Sequence, residues 1–184
     1  MSRVCIFLAD GFEEIEGLTV VDILRRAGVD IQTVSITEDR MVTGSHKIPV
    51  QADVCLKDAV FDETEMLVLP GGMPGTLHLG ACRELTDLLV RFHGEGKKVA
   101  AICAAPSVLG DLGILKGKKA VCYPGFEDRL AGAEVVYDKT MVDGNVTTSR
   151  GMGTAIPFAL ALTEQLVSGD KAEEIKKGII YGHV

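Results

Sequence analysis

Three short segments carry residues whose types and order can do chemistry. In Val99-Ala100-Ala101-Ile102-Cys103-Ala104-Ala105-Pro106 an apolar stretch runs into a cysteine, then into small residues and a proline suited to a first helical turn. A sharp strand-to-helix turn of this kind lifts a nucleophile out of a sheet, and small neighbours are what so tight a turn tolerates. A helix N-terminus just ahead would favour the thiolate and lower the pKa of Cys103. The spacing alone leaves a second reading open, a buried strand-end thiol with no role. Pro70-Gly71-Gly72 is the second segment. Adjacent glycines after a strand let the backbone approach a ligand, and the Gly72 and Ala104 N–H groups together make a candidate oxyanion hole. A plain tight turn would look the same.

The third segment is Glu13-Glu14-Ile15-Glu16. Glu13 and Glu14 suit the first turn of a helix and need no further role. Glu16, facing a pocket beside a buried cysteine, would be held protonated and could serve as general acid or base toward Cys103. Histidine is the usual partner of a catalytic cysteine, but His46, His78, His93 and His183 lack triad-like surroundings. His93 and His183 read as surface groups, and His78 as a residue able to reach the pocket rim. Arg150, in the turn Thr148-Ser149-Arg150-Gly151, either binds an anion near the cleft or satisfies backbone carbonyls, the latter being favoured.

These segments need a scaffold, and short apolar runs alternating with amphipathic stretches predict a parallel α/β fold. Val4 to Leu8, Ile31 to Ile36, Met66 to Leu69 and Lys98 to Ile102 read as buried strands. Phe12, Ile15, Leu18, Val21 and Leu24 mark a helix stopped near Gly28; Leu85, Leu88, Leu89 and Phe92 mark another that ends before Gly94. Thr43-Gly44-Ser45 predicts a turn between two short strands. Lys119 to Cys122 and Glu134 to Tyr137 read as extended, and Met141 to Thr148 as a hairpin around Asp143-Gly144. Ile156, Leu160, Thr163 and Val167 predict one helical stripe, and Asp170 with Glu173 a capping-box start for a last helix. The candidate residues then fall at strand carboxyl ends, where ligands bind in such sheets.

Composition narrows the function. Lys plus Arg is 19 and Asp plus Glu is 26, for a net charge of −7, which disfavours nucleic acid and anionic membrane as partners. No apolar run is long enough to span a bilayer, and the apolar stretch near the start is too short for a secretory leader. The five cysteines lie at 5, 55, 82, 103 and 122 without a CxxC pair. That signals neither a zinc site nor a disulfide framework, so a reducing, cytoplasmic setting is expected. There is no GxGxxG after the first strand and no phosphate loop. No cofactor and no metal are expected, and residues 1–184 are read as one domain.

At these residues the sequence resembles the ThiJ/PfpI superfamily, and most closely its DJ-one branch, the Parkinsonism-associated deglycase-like proteins. The resemblance rests on Leu8-Ala9-Asp10-Gly11-Phe12-Glu13-Glu14-Ile15-Glu16, Val20-Val21-Asp22 through Arg25-Arg26-Ala27-Gly28, and Val68-Leu69-Pro70-Gly71-Gly72. It continues through Ala101-Ile102-Cys103-Ala104-Ala105-Pro106 and Thr148-Ser149-Arg150-Gly151-Met152-Gly153-Thr154, in family order and over nearly the whole chain. It implies a flavodoxin-like three-layer sandwich with a mostly parallel central sheet, and a homodimer. It places Cys103 on the reactive, oxidation-prone cysteine, Glu16 on the protonated glutamate beside it, and Gly72 and Ala104 on the amides of the anion pocket. Gly71, Tyr123 and Arg150 fall at the pocket rim.

The resemblance also implies cofactor-free chemistry on reactive carbonyls in stress defence, as a glutathione-independent glyoxalase (methylglyoxal to lactate) or deglycase. The alternative is an oxidative-stress sensor and redox-regulated chaperone working through oxidation of Cys103. The chain departs from the family at three places. Ala104 stands where the protease-like branch has histidine, which argues against a peptidase. Tyr123 stands where better-known members have a pocket histidine. Gly44 and His46 stand where a close relative has an interface cysteine and arginine.

Overall fold

The computed structural model describes residues 3–182. Its strands are β1 (Arg3–Leu8), β2 (Asp30–Ser35), β3 (Met41–Thr43), β4 (Pro49–Gln51), β5 (Val54–Cys55), β6 (Thr64–Leu69), β7 (Lys98–Ile102), β8 (Lys119–Ala120), β9 (Glu134–Val135), β10 (Thr140–Asp143) and β11 (Val146–Ser149). The helices are α1 (Glu14–Arg26), α2 (Gly75–Ala81), α3 (Arg83–Gly94), α4 (Pro106–Asp111), α5 (Ala155–Leu166) and α6 (Gly169–Gly178). The main sheet runs β10-β11-β7-β6-β1-β2-β5, and only its edge pair β10–β11 is antiparallel. The expected turn at Thr43-Gly44-Ser45 joins the separate antiparallel pair β3–β4.

The central strands show why this is a three-layer sandwich with a mostly parallel sheet. β1 is apolar without alternation because both its faces are covered. Val4, Ile6 and Leu8 join Met66, Val68, Ala100 and Ile102 under α1, α5 and α6. Cys5, Phe7 and Ala9 join Leu67, Leu69, Val99 and Ala101 under α3 and α4. Successive side chains point to opposite faces, so one strand feeds two cores.

The helical faces differ in part from the periodicity. In α3 the four marked residues are all buried. In α1, Phe12 precedes the helix, and Ile15 and Leu18 turn outward, 51% and 37% exposed; Val20, Val21, Ile23 and Leu24 make the buried stripe. α1 carries apolar residues around much of its circumference, so spacing could not tell its core side from its outer side. α5 has the same ambiguity: Ala155, Phe158, Ala159 and Leu162 are buried with Leu160 and Thr163, and Val167 lies past the helix end, exposed. The cap of α6 is Ser168, whose hydroxyl accepts the Lys171 N–H at 3.1 Å, in place of the expected Asp170–Glu173 box. A Ser one residue ahead of the Gly-Asp pair already satisfies the free N–H there.

No helix among the described residues is long and apolar enough to cross a membrane. His183 lies outside the described residues.

Candidate active site

Cys103 sits one residue past β7 with φ of +66°, a left-handed conformation that a non-glycine residue rarely takes. Its N–H still donates to the Ser149 carbonyl at 2.9 Å, and its own carbonyl accepts the Tyr123 N–H at 2.8 Å. Pro106 opens α4, as expected. The side chain is therefore swung out of the ladder while both ends of its peptide unit stay tied. Cys103 is only partly buried, whereas Cys5, Cys55 and Cys122 are buried.

Glu16, in the first turn of α1, is 1% exposed. Its Oε2 accepts the Gly71 N–H at 2.9 Å, and its Oε1 is buried without a nitrogen or oxygen donor. Cys103 and the same carboxyl both lie against Gly71, close enough for each to perturb the other's ionisation. Burial pushes Glu16 up to about 7 against the bonds from Cys103 and Gly71. A buried oxygen lacking a donor is costly as part of a carboxylate and satisfied as an O–H, so this environment favours protonation.

The backbone N–H groups of Gly72 and Ala104 lie on the side of the Cys103 sulfur and favour its charged form. A lowered cysteine pKa, expected from the helix terminus, is nevertheless not what the site holds. Burial and the charge of an ionised Glu16 push Cys103 up to about 12, and the two amides only partly offset them. α4 has six residues, too short for a strong terminal field. The two groups titrate as a pair in which each ionisation opposes the other.

The glycines are required by space. A Cβ on Gly71 would come within 2.6 Å of both Cys103 Cβ and Glu16 Oε2. Gly72 has φ of +92°, and its missing side chain leaves room for the Phe12–Glu13 backbone. Tyr123 stands at the rim, half-exposed, with its ring against Gly151. The Arg150 guanidinium lies over the Tyr137 ring, 5.6 Å from the centroid, and not on a backbone carbonyl as favoured from the sequence. His78 turns Nδ1 to the Asp10 carbonyl at 2.9 Å, and His93 is half-buried at the end of α3, where a surface group was expected.

Glu14 does more than suit the first turn of a helix. It is 4% exposed, and its Oε1 accepts the His46 N–H at 2.8 Å while Oε2 meets His46 Nδ1 at 3.0 Å. Burial opposes its charge, but the bonds from His46 and the backbone N–H groups win and hold its pKa down to about 2. This pair clamps the β3–β4 turn onto the start of α1. No local signal links positions 32 residues apart. Among the described residues, Glu13, Glu14 and His46 offer metal-ligand atoms within 4.8 Å of one another, already engaged with each other and with Ser45. A groove of about 640 Å³ lies elsewhere, on the outer side of α1 between Ile15, Leu18, Ile48, Ile156 and Ile179.

A three-layer parallel sandwich with a left-handed cysteine at the carboxyl end of a central strand, a buried glutamate beside it and paired glycines across from it defines a class of protein. Residues 2–165 match the DJ-1/PfpI family, and the chain belongs to it. The chain is 37% identical over 180 residues to DJ-1 homolog B of Arabidopsis thaliana, an alignment covering 97% of this chain and 41% of that protein. It thus spans less than half the length of that relative. It is 34% identical over 154 residues to a deglycase of Pyrococcus abyssi, covering 82% and 91% of the two chains. The solved structure of oxidized DJ-1 from Toxoplasma gondii superposes with a TM-score of 0.95 at 34% identity, covering 100% of both chains.

Proposed function

We propose that the protein acts in stress defence as a cofactor-free, cysteine-dependent enzyme on small 2-oxoaldehydes, converting methylglyoxal to lactate. With Glu16 protonated, the charge that opposes Cys103 ionisation becomes a hydrogen-bond donor to sulfur, and the Gly72 and Ala104 N–H groups complete a thiolate site. The sulfur adds to the aldehyde carbon, forming a C–S bond as the C=O π pair moves onto oxygen. Those two amides accept the oxyanion, which takes up the proton from Glu16. The Glu16 carboxylate then removes the former aldehyde hydrogen and returns it to the neighbouring carbon, while the proton of the C1 hydroxyl passes to the C2 oxygen. This leaves a lactoyl thioester. Water cleaves it, giving lactate and the free thiol. No electrons enter or leave; the aldehyde carbon is oxidised as the ketone carbon is reduced.

The observation that carries this reading is the buried, donor-free Oε1 of Glu16 beside a reachable cysteine. The Pyrococcus abyssi deglycase supports carbonyl-directed chemistry by relationship. Lactate production from methylglyoxal by the purified protein tests it: Cys103→Ser and Glu16→Ala should each lower turnover at least a hundredfold, and unchanged turnover in either overturns it.

A second reading, an oxidative-stress sensor and redox-regulated chaperone, is supported by the seat of Cys103 beside Glu16, which the other partly exposed cysteine, Cys82, does not share, and by the oxidized state of the Toxoplasma gondii relative. Glu16 would then hydrogen-bond a sulfinate on Cys103 and slow further oxidation. Peptide mass analysis after mild peroxide should find oxygen on Cys103 first; uniform oxidation of all five cysteines speaks against it. For partners, we propose a homodimer whose second copy covers Ile15, Leu18 and Ile48, and for location the cytoplasm.

A further inference from the structure

Tyr123 and Gly151 are accounted for by neither the acid–base pair nor the amide pocket. The Tyr123 N–H is fixed on the Cys103 carbonyl at 2.8 Å, so this residue cannot shift without moving the nucleophile's own peptide unit. Its ring rests directly on Gly151: a Cβ there would stand 3.3 Å from ring Cδ2 and 3.9 Å from Glu16 Oε1. The ring edge and the carboxyl of Glu16, the acid beside Cys103, therefore both lie next to Gly151. Half the tyrosine surface is exposed, so the residue is held at the site yet reachable by an incoming molecule. Gly151 has an extended backbone, and what its lack of a side chain provides is contact distance for the ring.

We infer that Tyr123 is the specificity-determining wall of the Cys103 site, with Gly151 as the seat that sets where the wall stands, and that it restricts the 2-oxoaldehydes accepted to those bearing hydrogen or methyl on the second carbon. This rests on the carbonyl reading above. With C1 on sulfur and its oxygen on the Gly72 and Ala104 amides, C2 must lie within reach of Glu16, and the substituent on C2 then points at the Tyr123 ring. A methyl group packs against an aromatic face, while an aryl group requires the ring's own space.

The test uses Tyr123→Ala, Tyr123→Phe and Gly151→Ala with two readouts. One is the ratio of kcat/KM for phenylglyoxal over methylglyoxal. The other, independent of turnover, is the ratio of Cys103 alkylation rates by N-ethylmaleimide over iodoacetamide, read by peptide mass. Tyr123→Ala should raise both ratios at least tenfold. Tyr123→Phe keeps the ring and should hold both ratios within twofold of wild type. Gly151→Ala displaces the ring by a few tenths of an ångström and should move both ratios by at least threefold. An alkylation ratio that stays within twofold in both Tyr123→Ala and Gly151→Ala overturns the wall. A shifted alkylation ratio in a protein that turns over no 2-oxoaldehyde upholds the wall and overturns the carbonyl reading instead.

Discussion

Cys103 donates its N–H to the Ser149 carbonyl at 2.9 Å although its φ of +66° has already taken it out of the sheet. The ladder bond holds a conformation that an L-residue resists, and the strain is what lifts the sulfur off the β7 line. Left-handed geometry costs a non-glycine residue about 1 kcal/mol or more. Cys103→Gly should therefore be more stable to urea than Cys103→Ala by about 1 kcal/mol, with both inactive. Equal stability of the two variants would show that the elbow is unstrained.

Glu16 makes stability depend on pH in a definite direction. Its folded pKa is raised from 4.5 to about 7, so the folded state holds a proton that the unfolded chain has released. The contribution is complete below about pH 4.5 and is lost as pH rises through about 7. Between pH 4 and pH 8 the wild type should lose up to about 3 kcal/mol relative to Glu16→Gln. Parallel stability profiles for the two proteins would place the Glu16 carboxyl in a polar, ionised setting.

Gly71 offers a steric check on the same site. Because its Cβ would enter the space of Cys103 Cβ and Glu16 Oε2, Gly71→Ala must separate the cysteine from the acid or shift β7. A loss of about 2 kcal/mol or more in stability is expected, together with loss of turnover. Wild-type stability and activity in this variant would mean that the contact between the two loops is loose.

The outward apolar side of α1 predicts association. Ile15→Glu places a charge on the exposed rim of the groove without touching the core. Sedimentation should show a dimer for the wild type and a monomer for Ile15→Glu. A monomeric wild type would leave the groove uncovered.

Much of this was legible in the sequence because it is written locally. β1 and β7 are uninterrupted apolar runs that end at chemistry-bearing residues, and the Pro70-Gly71-Gly72 and Cys103-Ala104-Ala105-Pro106 segments carry their own geometry. What escaped depends on pairings that spacing does not encode. The outward turn of Ile15 and Leu18 is decided by α5 packing onto α1, with Val20, Ile23 and Leu24 drawn into the shared core, on a helix apolar on more than one side. The burial of Glu14 is decided by His46 arriving on a hairpin far along the chain. The rise in Cys103 pKa is decided by the Glu16 carboxylate and by burial, which overcome a helix terminus of a single short element.

The central claim is that Cys103 and Glu16 titrate as one unit, the ionisation of either group opposing that of the other. The rate of iodoacetamide alkylation of Cys103 between pH 4 and pH 10, in wild type and Glu16→Gln, tests it most directly. The account predicts that alkylation begins to respond near pH 7, where the pair as a whole releases its first proton, and that this step moves by at least one unit in Glu16→Gln. A single midpoint near the ordinary thiol value of about 8.5, shared by both proteins, would contradict it.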